Sequence, residues 1–195
     1  MGSKAGEFTL ANIVLIGLMG AGKSAVGRAL AQRYGARFLD TDKEIERDRG
    51  ATIAQIFAEV GEAEFRHIER ESVDRLVEQA RSDTRDTVQI VLSTGGGLPL
   101  REENAASIRA LGTVIWLRAR PETIARRVAH KLPQRPLIAD HGHDLPGRIA
   151  ELYSQRAPRY EVVADIIVDT DDCASPDHAA ALVAQAYENR TQRKN

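Results

Sequence analysis

The sequence predicts an α/β fold built on a five-stranded parallel sheet, and three observations carry that expectation. Five short apolar runs recur along the chain, and three of them are nearly continuous instead of alternating, as strands covered on both faces require. Stretches with helical spacing separate the runs, which is the rhythm of strand, crossover, parallel strand. Composition agrees: 195 residues, 43% hydrophobic and 28% charged, with 15 Gly and 7 Pro, can bury a full core as one domain. These proportions exclude a disordered, collagen-like or repeat-array protein.

The first strand is expected at Ile13-Val14-Leu15-Ile16, followed by a helix carrying Val26, Leu30 and Arg33-Tyr34. The second strand is Arg37-Phe38-Leu39. The next apolar run lies too far away for a simple crossover, so extra helices should form a cap over about 42–80. Ile53, Ile56, Phe57 and Val60 mark one; Phe65, Ile68, Ser72, Leu76 and Ala80 fall on one stripe at steps of three or four. Then come the strand Val88-Gln89-Ile90-Val91-Leu92, a helix with Ile108 and Leu111, and the strand Thr113-Val114-Ile115-Trp116-Leu117. A helix with Ile124 and Val128 follows, and Ile166-Ile167-Val168 is the fifth strand. Right-handed crossovers would place ligands beyond the carboxyl ends of these strands. Lys131 to Gly147, with Pro133, Pro136, Pro146, Gly142 and Gly147 and almost no periodicity, reads as a loop long enough to be a lid.

Charge and cysteine content narrow the function classes. Lys+Arg 27 against Asp+Glu 28 gives a net charge of -1, without the basic excess that a nucleic-acid surface needs to displace counterions. Cys173 is the lone cysteine, so no internal disulfide forms and a reducing, cytoplasmic compartment is expected. The apolar stretch Ile13 to Ala21 is broken by Gly17 and Gly20, far short of the roughly 20 apolar residues of a membrane span. Met1 to Gly6 begins like a myristoylation signal but has Gly6 where Ser or Thr is required, and no export-type segment follows.

The sharpest signal is Gly17-Leu18-Met19-Gly20-Ala21-Gly22-Lys23-Ser24, placed between the first strand and the first helix. Glycines let the backbone curl so that the amides of Gly20, Ala21, Gly22, Lys23, Ser24 and Ala25 point at phosphates. Lys23 reaches the terminal phosphates, and the Ser24 hydroxyl can ligate Mg²⁺. A purine nucleoside triphosphate with magnesium is the expected ligand, on a phosphate-loop (P-loop NTPase-type) three-layer sandwich with a helical substrate-binding insertion and a lid loop. No Asn-Lys-x-Asp motif reads a guanine base, and the length leaves little room for a mechanical ATPase, so a small-metabolite kinase fits.

Two carboxylates, Asp40 and Asp42, end the second strand, where an extended chain points both the same way. One could act near Mg²⁺ and the other orient or deprotonate an attacking hydroxyl. Thr41 with Glu44 also fits a capping box for the following helix. Arg66 stands three residues before Glu69, a spacing at which the pair holds a guanidinium for a bound carboxylate, although a solvated helix face uses such charges too. Gly95-Gly96-Gly97 follows the third strand, where three glycines allow a substrate to touch backbone.

From about Asn12 to about Val168 these motifs resemble shikimate kinase, an adenylate-kinase-like family: Gly-x-x-Gly-x-Gly-Lys-Ser, Phe-Leu-Asp-x-Asp, Gly-Glu-x-x-Phe-Arg-x-x-Glu, Gly-Gly-Gly, Arg-Pro-Leu and Arg-x-x-x-Tyr, in order. The resemblance implies transfer of the ATP γ-phosphoryl group to the 3-hydroxyl of shikimate, a step of aromatic amino acid biosynthesis. It implies Asp42 as base and hydroxyl ligand, Asp40 near Mg²⁺ with Ser24, and Arg66 and Arg156 on the shikimate carboxylate. Gly95, Gly96 and Gly97 would touch the ring hydroxyls, and Arg135 on the lid would close over the transferring phosphate beside Lys23. Arg127, or its neighbour Arg126, would lie under adenine; here the spacing to Arg135 is one residue longer than the family pattern. Asp171, Asp172 and Pro176 should border the base. Partners are then ATP and shikimate alone, with a monomer acting on them. A gluconate kinase is the enzyme rival, and a nucleotide-binding module without catalysis is the rival from another class.

Other features carry less. Asp140-His141-Gly142-His143-Asp144 has metal-ligand residue types but a mobile frame. His67, His130 and His178 read as surface groups, Trp116 as core, Cys173 as a non-catalytic loop residue and Arg190 to Lys194 as a solvated tail.

Overall fold

A computed structural model describes residues 12–81, 87–129 and 144–193. The strands are β1 (Asn12–Ile16), β2 (Arg37–Asp40), β3 (Ile90–Ser93), β4 (Gly112–Arg118) and β5 (Ile166–Asp169), ordered β2-β3-β1-β4-β5 in one sheet. Every pairing is parallel, with Ile13 opposite Val91 and Thr113. The helices are α1 (Lys23–Tyr34), α2 (Thr41–Arg49), α3 (Ile53–Arg81), α4 (Glu102–Leu111), α5 (Pro121–Val128), α6 (Leu145–Val163) and α7 (Pro176–Arg193). α3 is two helical segments that meet at Gly61, whose φ of 76° and ψ of 175° break the helical path.

Side chains alternate across β1, and both faces are covered. Ile13 and Leu15 face α1 and α7 through Val26, Leu30, Val183 and Tyr187. Val14 and Ile16 face α3, α4 and α6 through Val73, Leu76, Ile108 and Tyr160. All four strand residues are 0% exposed, so Leu15→Ala would cost about 2–5 kcal/mol in lost transfer and cavity formation. A smaller cluster of Ile45, Ile56, Phe65 and Ile68 fastens α2 to α3 in the expected insertion.

The five strands and the helical insertion stand where the apolar runs and spacings predict them. Residues 145–147, assigned from sequence to the lid, instead form the first turn of α6, because Asp144 caps it by accepting from the Gly147 N–H at 2.9 Å and Pro146 suits a first-turn position. Residues 130–143, with Arg135, His130 and most of the His-Asp cluster, lie outside the described residues. Arg190 is no part of a solvated tail: it belongs to α7 and pairs with Asp165 at 2.6 Å. His67 and His178 are exposed and Trp116 is buried, as expected.

Candidate active site

The turn from β1 into α1 is the phosphate loop. Gly20 has φ +82°, and a Cβ there would stand 2.4 Å from Val128 Cγ1, so the loop path admits only glycine. The Ala21 N–H donates to Leu18 O at 3.1 Å, and α1 follows Gly22, which gives it no side-chain cap. The Ala25 N–H already donates to Gly22 O at 3.0 Å, so Ala21 and Ala25 do not offer their amides as expected, and the helix start suits an anion through its remaining amides and its dipole. Lys23 is buried, and its Nζ donates to Gly17 O at 2.8 Å and Leu18 O at 3.0 Å, which holds the ammonium against the loop it serves.

Ser24 Oγ donates to Asp40 Oδ2 at 2.6 Å and lies 3.4 Å from Ser93 Oγ. A hydroxyl and a carboxylate side by side at the phosphate end suit Mg²⁺, which takes one or two protein oxygens and completes its shell with phosphates and water.

Across the cleft, the backbone of Gly95–Gly97 arches past three side chains. A Cβ on Gly95 would lie 2.7 Å from Asp42 Oδ1 and 3.1 Å from Glu69 Oε1; one on Gly97 would lie 2.6 Å from Arg66 Nη1. Glycine is what lets these functional groups crowd the chain. Gly96 sits between Gly17 O and Arg156 Nη1, at 3.4 and 3.5 Å from where its Cβ would be, so the arch spans the gap from phosphate loop to α6. Arg66 Nη1 donates to Glu69 Oε2 at 2.6 Å, and Glu69 is 1% exposed. The short bond to buried Glu69 fixes one side of the guanidinium fork, while Nη2 meets the exposed Glu62 only at 3.4 Å, a weaker tie that a bound carboxylate can displace.

Burial, with the Asp40 and Glu69 carboxylates nearby, pushes the Asp42 carboxyl up to about 6 against the opposing pull of Lys23. Burial likewise raises Glu69, with Arg66 opposing.

One cleft of about 1550 Å³ takes in the phosphate loop, Asp40, Asp42, Arg66, Glu69, Gly95–Gly97, Arg127 and Arg156. The described members of the expected set are thus brought together. Arg127, not the exposed Arg126, lines the cleft; its Nη2 donates to Thr170 O at 2.6 Å and its Nη1 to Thr170 Oγ1 at 3.3 Å. Pro176 lines the same end with Cys173 and Ser175, whereas Asp171 turns to Arg120, accepting from its N–H at 2.9 Å.

Two sequence expectations change. Asp40 and Asp42 do not share a face through strand alternation, because Thr41 already begins α2; Asp40 reaches the cleft from the strand end and Asp42 from the first helical turn. The Thr41–Glu44 capping box does not form: Thr41 Oγ1 instead accepts from the Gly95 N–H at 2.8 Å, and Glu44 pairs with Arg47. Thr41, Thr170 and Tyr160, whose hydroxyl donates to Gly96 O, support the site without having been assigned to it. Only Tyr160 had a signal, its four-residue spacing from Arg156 on one helix face.

Comparison with known proteins gives a consistent result. A family model described as shikimate kinase matches residues 19–188. A shikimate kinase of Symbiobacterium thermophilum is 44% identical over 178 residues, 91% of this chain and 97% of that protein. One from Chromobacterium violaceum is 45% identical over 159 residues, covering 82% of this chain and 80% of that one. Among solved structures, shikimate kinase from Acinetobacter baumannii in complex with shikimate superposes with a TM-score of 0.80 at 35% identity, covering 93% of this chain and 96% of that chain. A gluconokinase from Sinorhizobium meliloti, at TM-score 0.53 and 19% identity over 96% of this chain and 99% of that chain, shares the fold.

Proposed function

The chain belongs to the shikimate kinase family, and we propose that the two walls of its cleft divide the reaction between them. It is an ATP-dependent kinase that phosphorylates shikimate to shikimate 3-phosphate, with release of ADP, in aromatic amino acid biosynthesis. The phosphate loop holds the triphosphate, with Arg127 under adenine; Arg66 and Arg156 hold the shikimate carboxylate, and Asp42 receives its hydroxyls. The observation that supports this most is the Gly95–Gly97 arch, which packs on Asp42, Arg66, Arg156 and the phosphate loop at once.

The arginine forks bind a carboxylate with orientation as well as charge. Arg66 is held by Glu69 before substrate arrives, so little ordering is left to do. The Gly95 N–H is engaged by Thr41, so backbone contacts to the ring fall to Gly96 and Gly97. Asp42 accepts the hydrogen bond of the 3-hydroxyl and takes its proton as the new O–P bond forms. A carboxyl raised to about 6 is better matched to that exchange near neutral pH than an ordinary one. Lys23 follows the charge that develops on the transferred group. Ser24 and Asp40 would hold Mg²⁺, which when bound would neutralise charge on the outer phosphates. Arg135, expected at the transferring phosphate, lies outside the described residues.

The same reading takes the chain as one kinase domain, the 42–80 insertion as the acceptor wall, and the enzyme as a cytoplasmic monomer whose partners are ATP and shikimate. Cys173, unable to form an internal disulfide, and the net charge of -1 support it. No helix among the described residues is long and apolar enough to cross a membrane. Incubation with MgATP and shikimate, followed by ³¹P NMR, tests the reading. A new phosphomonoester coupled to the ring proton at C3 is expected beside ADP, and ADP with inorganic phosphate and no phosphomonoester would overturn it.

A further inference from the structure

We propose that Thr41 and Tyr160 are positioning residues for the acceptor: two buried hydroxyls on the Gly95–Gly97 arch that set its place between Asp42 and Arg156. Thr41 is 0% exposed and its Oγ1 accepts from the Gly95 N–H at 2.8 Å. Tyr160 is 1% exposed, donates to Gly96 O, and packs its ring 5.7 Å from that of Trp116. Neither residue lines the cleft. Each nevertheless ties the arch to an element that carries a functional group. Thr41 stands between Asp40 and Asp42 at the start of α2, and Tyr160 lies one turn beyond Arg156 on α6.

The tolerance at the arch is small. Asp42 and Arg66 approach Gly95 and Gly97 so closely that a side chain on either glycine would push them aside, and Glu69 would have to give as well. An arch released from either hydroxyl would move to satisfy its freed N–H or C=O. That movement changes the spacing of Asp42, the arch amides and Arg156 together. The arch packs on the phosphate loop at Gly96, but the loop keeps its own bonds, Ala21 to Leu18 and Lys23 to Gly17, so nucleotide binding should change far less than acceptor binding.

The inference rests on the acceptor-site reading above, which wild-type activity with shikimate tests by itself. The variants are Thr41→Val, which keeps shape and loses the acceptor, Thr41→Ser, which keeps the hydroxyl, and Tyr160→Phe, which keeps the ring. Steady-state kinetics with each substrate varied, together with the thermal midpoint, give the readout. Thr41→Val and Tyr160→Phe should each raise the shikimate KM about tenfold, about 1.4 kcal/mol, while the ATP KM stays within about twofold and Thr41→Ser stays near wild type. An unchanged shikimate KM in both variants overturns the inference. So does a rise in both KM values in step with a fall in thermal midpoint, or a Thr41→Ser variant as impaired as Thr41→Val. Should Thr41→Val not fold, Tyr160→Phe decides by the same criteria.

Discussion

Replacing Asp42 by Asn should make the enzyme more stable and nearly inactive, and the size of the first effect follows from where the carboxyl sits. Its pKa rises from 3.8 to about 6 mainly because burial penalises the charge, with Asp40 and Glu69 adding repulsion. The folded protein therefore binds this proton more tightly than the unfolded chain. As pH climbs from about 4 to about 6 the wild type loses stability relative to the neutral variant, and above that the deficit is constant. Its upper bound is about 3 kcal/mol, which for a chain of this length shifts the thermal midpoint by up to about 6–12 °C. Thermal or urea unfolding of both proteins at pH 4.5, 6 and 7.5, without ligands, measures the gap. It should be about a third of its full size at the lowest pH and full at the highest. Turnover should fall by at least about a hundredfold while ATP affinity is retained. A wild type as stable as the variant at pH 7.5, or a gap that does not change with pH, would refute the electrostatic account of this site.

Other substitutions probe the remaining groups. Arg66→Ala removes the partner of Glu69, which is 1% exposed, so shikimate affinity should drop by about a hundredfold or more, with some loss of stability from the uncompensated carboxylate; an unchanged shikimate KM would make the arginine a bystander. Gly97→Ala pushes a methyl to 2.6 Å from Arg66 Nη1, and kinetics should show a raised shikimate KM with the ATP KM unaltered. Asp40→Asn weakens the oxygen pair with Ser24, so the Mg²⁺ concentration needed for half-maximal rate should rise several-fold, and chelation with EDTA should abolish activity in both proteins.

Most of the frame was legible because its physics is local. Continuous apolar runs such as Val14 to Ile16 announce strands covered on both faces, and the phosphate loop announces its own geometry. α6 and α7 were not read as helices. In α7 much of the buried stripe is alanine, Ala179, Ala180 and Ala184, which gives a weak hydrophobic pattern. In α6, Pro146 and Gly147 look like loop residues until Asp144 is seen capping the turn. The motif residues that line the cleft carry a signal of type and spacing in the sequence. Thr41 does not, since nothing local says that its hydroxyl meets Gly95, 54 positions away, instead of capping α2. Arg127 was separated from Arg126 only by the fold, through Thr170.

The central claim is that a triphosphate on the Gly17–Ser24 loop hands its outer phosphoryl group to a ring acid held by the facing arch. It is tested most directly by coupled detection of ADP from purified enzyme with MgATP, first alone, then with gluconate, then with shikimate. Shikimate should raise the rate by at least about a hundredfold over the other two conditions. A rate that is the same with and without shikimate, or that gluconate raises as much, would contradict it.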